Sequence, residues 1–107
     1  MKIRSKKHLK FVSEQSCLIT GSTGGVQAHH LLRAGGKGMG TKSSDIWAVP
    51  LYYTVHDALH RMGDEIAFFE NHGLPYEYAK GRALTLASQS PDKKIREAAK
   101  LWERENA

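Results

Sequence analysis

The stretch "DIWAVPLYYTVHDALHRMG", residues 45–63, begins as a strand and ends as a helix, and the rest of the chain is read outward from it. "DIWAVPL" is the best β segment in the sequence, and Pro50 limits its ladder hydrogen bonds toward the end. "VHDALHRM" follows as a helix: Thr54 can cap it, Asp57 falls in the capping-box position, and Gly63 can stop it. His56 and His60 then share one helix face, one turn apart. Two imidazoles at that spacing can reach one metal ion. The spacing alone is weak support, since exposed histidine pairs are common.

A metal ion also needs a third ligand from elsewhere, and "QAHHLLRAGG", residues 27–36, offers one. "GVQAHH" can form a short strand. Side chains alternate along a strand, so His29 and His30 point in different directions. One of them can bind the metal while the other faces a substrate beside it. Three ligands and one general base would account for four of the six histidines. That set suits phosphodiester hydrolysis. A neutral imidazole can take a proton from water near neutral pH. A divalent ion with few protein ligands keeps positions open for a phosphate.

The remaining segments are helix and loop. The basic start reads as a short helix over about 6 to 14. Cys17 to Gly25 is rich in turn residues, and residues 33 to 44 hold four glycines and no apolar periodicity, so both read as loops. Asp64 can cap "EIAFFENH", which Gly73 stops, and Pro75 can sit in the first turn of "YEYAKGRALTLAS". Ser90-Pro91 reads as the start of a last helix, with Ile95, Ala98, Ala99 and Trp102 as its apolar stripe and a Lys93–Glu97 pair. Trp47, Phe68, Phe69 and Trp102 read as core. The expected class is α+β: one domain over 1–107, its core at about 8–73, with C-terminal helices over about 75–105.

Composition narrows the function classes. The 107 residues are 40% hydrophobic and 25% charged, which suits a soluble globular chain with one modest core. No apolar run reaches membrane-spanning length, and no apolar segment follows the basic start as in a secretory signal. The single cysteine, Cys17, excludes an intramolecular disulfide and suits a reducing cytoplasm. A net charge of +5 and a pI near 9.5 favour a polyanionic partner, most simply nucleic acid.

Taken together, "HLKFVSEQSCLITG", "VQAHHLL" and "GMGTKSSDIWAVPLYYTVHDALHRMGDEIAFFENHG" resemble the small HNH endonucleases of bacteria and prophages, over roughly residues 8 to 88. The nearest branch is that of the phage RecA-dependent, Ref-like nucleases. The resemblance rests on an "HLxFV" lead-in, "AHH", a "GxxxKxxD" loop, "VPL", "HxxxH" and "GDE" in combination. It implies a ββα-metal core, with His29, His56 and His60 as ligands of one divalent ion (magnesium, manganese or zinc) and His30 as the general base. The implied substrate is DNA, and a RecA filament is a possible partner by resemblance. Relatives often have a cysteine where Thr20 stands, and another just after "VPL", where Tyr52 stands. A four-cysteine structural zinc is therefore not expected here. Trp47 stands about where the usual central asparagine would fall, and Asp45 is the nearest polar candidate, placed to steer the loop or a histidine ring.

Several positions admit two readings. Lys42 and Asp45 serve either the site or a structural ion pair and loop cap. Arg33 and Lys37, beside the site, are the better candidates for contact with a nucleic-acid backbone, and Lys42 joins them. Lys2, Arg4, Lys6, Lys7 and Lys10 can contact phosphates or form a solvated, frayed terminus. His8 belongs to the lead-in helix. His72 precedes Gly73, where an imidazolium suits the helix dipole. At the level of the whole chain, the alternatives to a nuclease are a non-catalytic nucleic-acid-binding module on the same fold and a structural metal-binding interaction domain. The latter would require a closed four-ligand site.

Overall fold

A computed structural model describes residues 3–32, 34 and 44–106 of the chain. Among these, the order is α1 (Lys6–Ser13), β1 (Val26–His30), a 3₁₀ turn (Asp45–Trp47), β2 (Ala48–Tyr52), α2 (Tyr53–Met62), α3 (Glu65–Asn71), α4 (Tyr76–Ser88) and α5 (Lys93–Glu105). The class is α+β, with five α-helices around a two-stranded antiparallel sheet among the described residues. No helix among them is long and apolar enough to cross a membrane.

The register pairs Val26 with Tyr52 and His30 with Ala48. Pro50 lies opposite Ala28, and its carbonyl accepts from the Leu18 N–H at 2.9 Å, so the turn at Cys17 clips onto β2. Cys17 is itself buried in the core, as its size and apolar character favour. Tyr52 is half-buried against that core, at the position where relatives carry a cysteine.

Nearly all of β2 is buried, because α1 and α4 cover it. Helix α4 approaches closely through alanines at every fourth position, Ala79, Ala83 and Ala87, all fully buried. Helix α5 brings Ile95 and Ala99 into the same cluster and sets Trp102 edge-on to Trp47, with ring centroids 4.9 Å apart. Lys93 and Glu97 approach to 3.9 Å on its outer face. Phe69, fully buried, anchors α3; truncation of such a side chain costs about 3–5 kcal/mol.

Four local readings shift, one of them by a single position, since Pro75 is the N-cap of α4 rather than part of its first turn. Asp45–Trp47 is a 3₁₀ turn rather than the first part of the strand, because the Ser44 hydroxyl caps it while the Asp45 carboxylate is drawn inward by Arg4, His30 and the Ser5 N–H. Thr54 does not cap α2: the strand runs directly into the helix, whose N-cap is Tyr52 without a side-chain bond. The Tyr53 N–H instead reaches the Gly25 carbonyl at 2.9 Å. Helix α5 starts at Lys93, capped by Asp92; Ser90 is buried, accepts from the Asp92 N–H and is hydrogen-bonded to the His8 ring. The stops at Gly63 and Gly73 stand where expected, at φ 80° and 78°. The Asp64 carboxylate accepts from the Ala67 N–H as an N-cap.

Candidate metal centre

The site is built where β2 becomes α2. With no loop between them, α2 stays beside β1 and carries His56 and His60, one turn apart, toward His29. The three rings meet in pairs: His29–His56 centroids lie 5.0 Å apart, His29–His60 5.9 Å and His56–His60 4.6 Å. One nitrogen from each lies within 4.8 Å of the others. His29 is buried, His56 half-buried and His60 exposed, so the cluster opens to solvent on one side.

The partners of these rings set their tautomers. Glu65 Oε1 lies 2.8 Å from His29 Nε2, and a carboxylate oxygen accepts, so Nε2 carries the proton and the Nδ1 lone pair is available. Gln27 Oε1 lies 2.6 Å from His56 Nδ1, which likewise leaves Nε2 of His56 as the basic nitrogen. That atom lies 3.0 Å from His60 Nε2. Burial, then the neighbouring His29 and His60 rings, push the His56 pKa down to about 4. It is therefore neutral near pH 7, with its lone pair unprotonated. Three imidazoles with converging nitrogens, two of them oriented by outer acceptors, fit a divalent ion such as zinc.

Glu65 organises the buried side. Besides His29 it accepts from the Tyr76 hydroxyl at 2.6 Å and the Leu32 N–H at 2.9 Å. Burial opposes its ionisation, but the bonds from His29 and Tyr76 outweigh this and hold its carboxyl below the usual range. The Gly63–Asp64 break between α2 and α3 makes this contact possible, since it sets Glu65 at the first turn of α3 against β1.

His30 points the other way. Its Nε2 donates to Asp45 Oδ1 at 2.7 Å, which leaves Nδ1 as the basic nitrogen. Asp45 is buried, and it also accepts from the Ser5 N–H at 2.7 Å and from Arg4 Nη1 at 3.1 Å. Burial opposes its ionisation, but the bonds from Ser5, His30 and Arg4 hold its pKa below the ordinary value. His30 is near enough to His56 to contribute to the lowering of that residue's pKa. Asp45 matches both of its readings: it forms a structural ion pair with Arg4 and it holds the His30 ring.

The family comparison bears on the whole chain. Residues 1–104 match the family described as "Protein of unknown function (DUF968)". The chain belongs to this family. A relative within reach is the "Uncharacterized protein YdfU" of Escherichia coli (strain K12), 35% identical over 72 residues, which are 67% of this chain and 20% of that protein. This DUF968 chain thus spans about a fifth of the length of the curated relative it matches. No solved structure matches it.

Within this DUF968 chain, His29, His56 and His60 are brought together and His30 stands beside them on Asp45. Arg33, Lys37 and Lys42 lie outside the described residues, as does Lys2. Arg4, read as either a phosphate contact or part of a solvated terminus, is paired with Asp45 at 3.1 Å. His8 is a core residue, fully buried with Nδ1 at 2.8 Å from the Ser90 hydroxyl. The sequence reading assigned no role to Glu65, Tyr76 or Gln27. The only signal for Glu65 was its place in "GDE", directly after the cap Asp64.

Proposed function

We propose that this chain is a metal-dependent endonuclease that hydrolyses DNA phosphodiester bonds with an HNH-type ββα-metal centre. The convergence of the His29, His56 and His60 nitrogens within 4.8 Å carries the reading. The strand–strand–helix order that presents them supports it. His29, His56 and His60 hold one divalent ion. When bound, that ion supplies positive charge for the scissile phosphate, a Lewis-acid role.

The chain's own residues do the rest. His30 Nδ1 takes the proton from an attacking water. Asp45 holds the ring at Nε2 and, as an ionised carboxylate, stabilises the imidazolium that results. Glu65 and Gln27 keep His29 and His56 in the tautomers that present a lone pair. A net charge of +5 favours the polyanionic substrate. A cytoplasmic setting, a phage or prophage origin and a RecA filament as partner belong to the same proposal through the HNH resemblance alone.

The test is nicking of supercoiled plasmid by the purified chain with magnesium, manganese or zinc, against EDTA-treated protein. Cleavage that EDTA abolishes, and that His30→Ala lowers ~10²-fold or more while metal is retained, is the expected result. Folded, metal-loaded protein that cleaves no DNA with any of the three ions would count against the reading. A non-catalytic nucleic-acid-binding module would bind DNA under the same conditions and leave it intact.

A further inference from the structure

One exposed feature next to the metal centre has no part in the chemistry above. Tyr52 and Tyr53 stand where β2 passes into α2, with ring centroids 4.8 Å apart and planes inclined at 47°. Tyr53 is 48% exposed, although its backbone N–H is fixed on the Gly25 carbonyl. Both rings lie on Gly25. A Cβ there would come within 3.1 Å of Tyr52 Cε1 and 3.4 Å of Tyr53 Cδ1, and its φ of +66° is itself one that glycine tolerates best. The phenol groups are also close: Tyr53 raises the Tyr52 pKa, first by the repulsion between the two phenolates, then with the help of burial and of a hydrogen bond from Tyr53. The pair is therefore held in place while one large apolar face stays in water.

Position on α2 ties this face to the metal site. Tyr53 precedes His56 by three residues and His60 by seven, so all three share one side of the helix. At ~1.5 Å rise per residue, Tyr53 sits ~4.5 Å and ~10.5 Å along the axis from the two histidines. Neighbouring nucleotides of a stacked strand are ~3.4 Å apart, so a phosphate at the histidines puts its nearest bases within reach of the ring.

We propose that the Tyr52–Tyr53 pair is a stacking platform for an unpaired nucleobase flanking the phosphate at the metal centre, so that the preferred substrate is single-stranded or locally unpaired DNA. The proposal rests on the endonuclease reading for the placement of that phosphate. A paired base has both π-faces covered by its neighbours in the duplex, whereas an unpaired base offers a face to the ring. The basic chain supplies general attraction for either form of DNA, and the aromatic pair supplies the preference between them.

The test compares binding by fluorescence anisotropy of one oligonucleotide, single-stranded and as a perfect duplex. Metal-loaded His30→Ala protein is used so that the DNA stays intact. Adding Tyr53→Ala is expected to weaken single-strand binding by about 5- to 150-fold, the range for losing one stacked base, and duplex binding by no more than about twofold. In the same background, Tyr53→Trp is expected to restore single-strand binding, with its fluorescence quenched by the stacked base. Equal losses on both forms, or no loss on the single strand, would overturn the platform, as would a parent protein that binds neither form. If Tyr53→Ala weakens single-strand binding but the otherwise unaltered chain cleaves no DNA, the platform stands and the endonuclease reading falls. If that chain cleaves single-stranded DNA and Tyr53→Ala cleaves and binds it equally well, the reverse holds.

Discussion

His29 and His8 are both buried histidines in the same small chain, yet they face opposite demands. Each ring has one nitrogen bonded, His29 to the Glu65 carboxylate at 2.8 Å and His8 to the Ser90 hydroxyl at 2.8 Å. The difference lies on the far side of each ring. Beyond His29 stand two more imidazoles and an opening to solvent. Beyond His8 lies core, and its Nε2 has no hydrogen-bond partner among the described residues. Burial of a histidine therefore says little about function; a carboxylate behind it and converging donors in front say much more. His8 links α1 to the start of α5 through Ser90, which also accepts from the Asp92 N–H.

Removal of the converging donors should have the largest effect. His56→Ala or His60→Ala is expected to abolish stable metal binding and DNA cleavage together, measured by metal analysis and plasmid nicking. Because His60 is exposed and His56 half-buried, thermal unfolding of the metal-free variants should stay close to that of the metal-free parent. A cleaving His60→Ala protein that retains its metal would erase the contrast with His8.

The partner behind the ring comes next. Glu65→Gln is expected to lower metal affinity ~10- to 100-fold, the usual scale for losing an outer acceptor, in competition with a chelating dye. Tyr76→Phe removes one neutral bond to the same carboxylate and should cost less.

These predictions concern features of unequal visibility in the sequence. The helix stops at Gly63 and Gly73, the Asp64 cap and the α5 stripe are local patterns, and each stands in the structure as read. The histidine pair on α2 is equally local. Glu65 and Gln27 were invisible as partners because they reach His29 and His56 across 36 and 29 residues, and no spacing rule links them. The 3₁₀ turn at Asp45 was misread as strand for a similar reason. Ser5 and Arg4, some 40 residues upstream, draw its side chain inward. Helix α5 starts at Lys93 rather than at Ser90-Pro91, with Asp92 as its cap, and Ser90 is bonded to His8, again a distant partner.

The smallest effect concerns His8. Burial lowers its pKa below 6.5, against opposing contributions from Asp45 and Asp92. A histidine depressed in the folded state binds fewer protons than in the unfolded chain. Its contribution to stability is thus present above the unfolded pKa and is lost as pH falls through 6.5 toward the lower folded value. In chemical denaturation of the metal-free chain, His8→Leu should flatten the loss of stability between about pH 7 and pH 5. An unchanged slope would mean that His8 is not held neutral by burial.

The central claim, one ion on three histidines with His30 left free as the base, is tested most directly by metal stoichiometry across the four single alanine variants. The account predicts about one ion per chain for the parent and for His30→Ala, with loss of tight binding in His29→Ala, His56→Ala and His60→Ala. Loss of the ion from His30→Ala with retention in His29→Ala would reverse the two strand histidines. Two ions per parent chain, or none, would contradict the account.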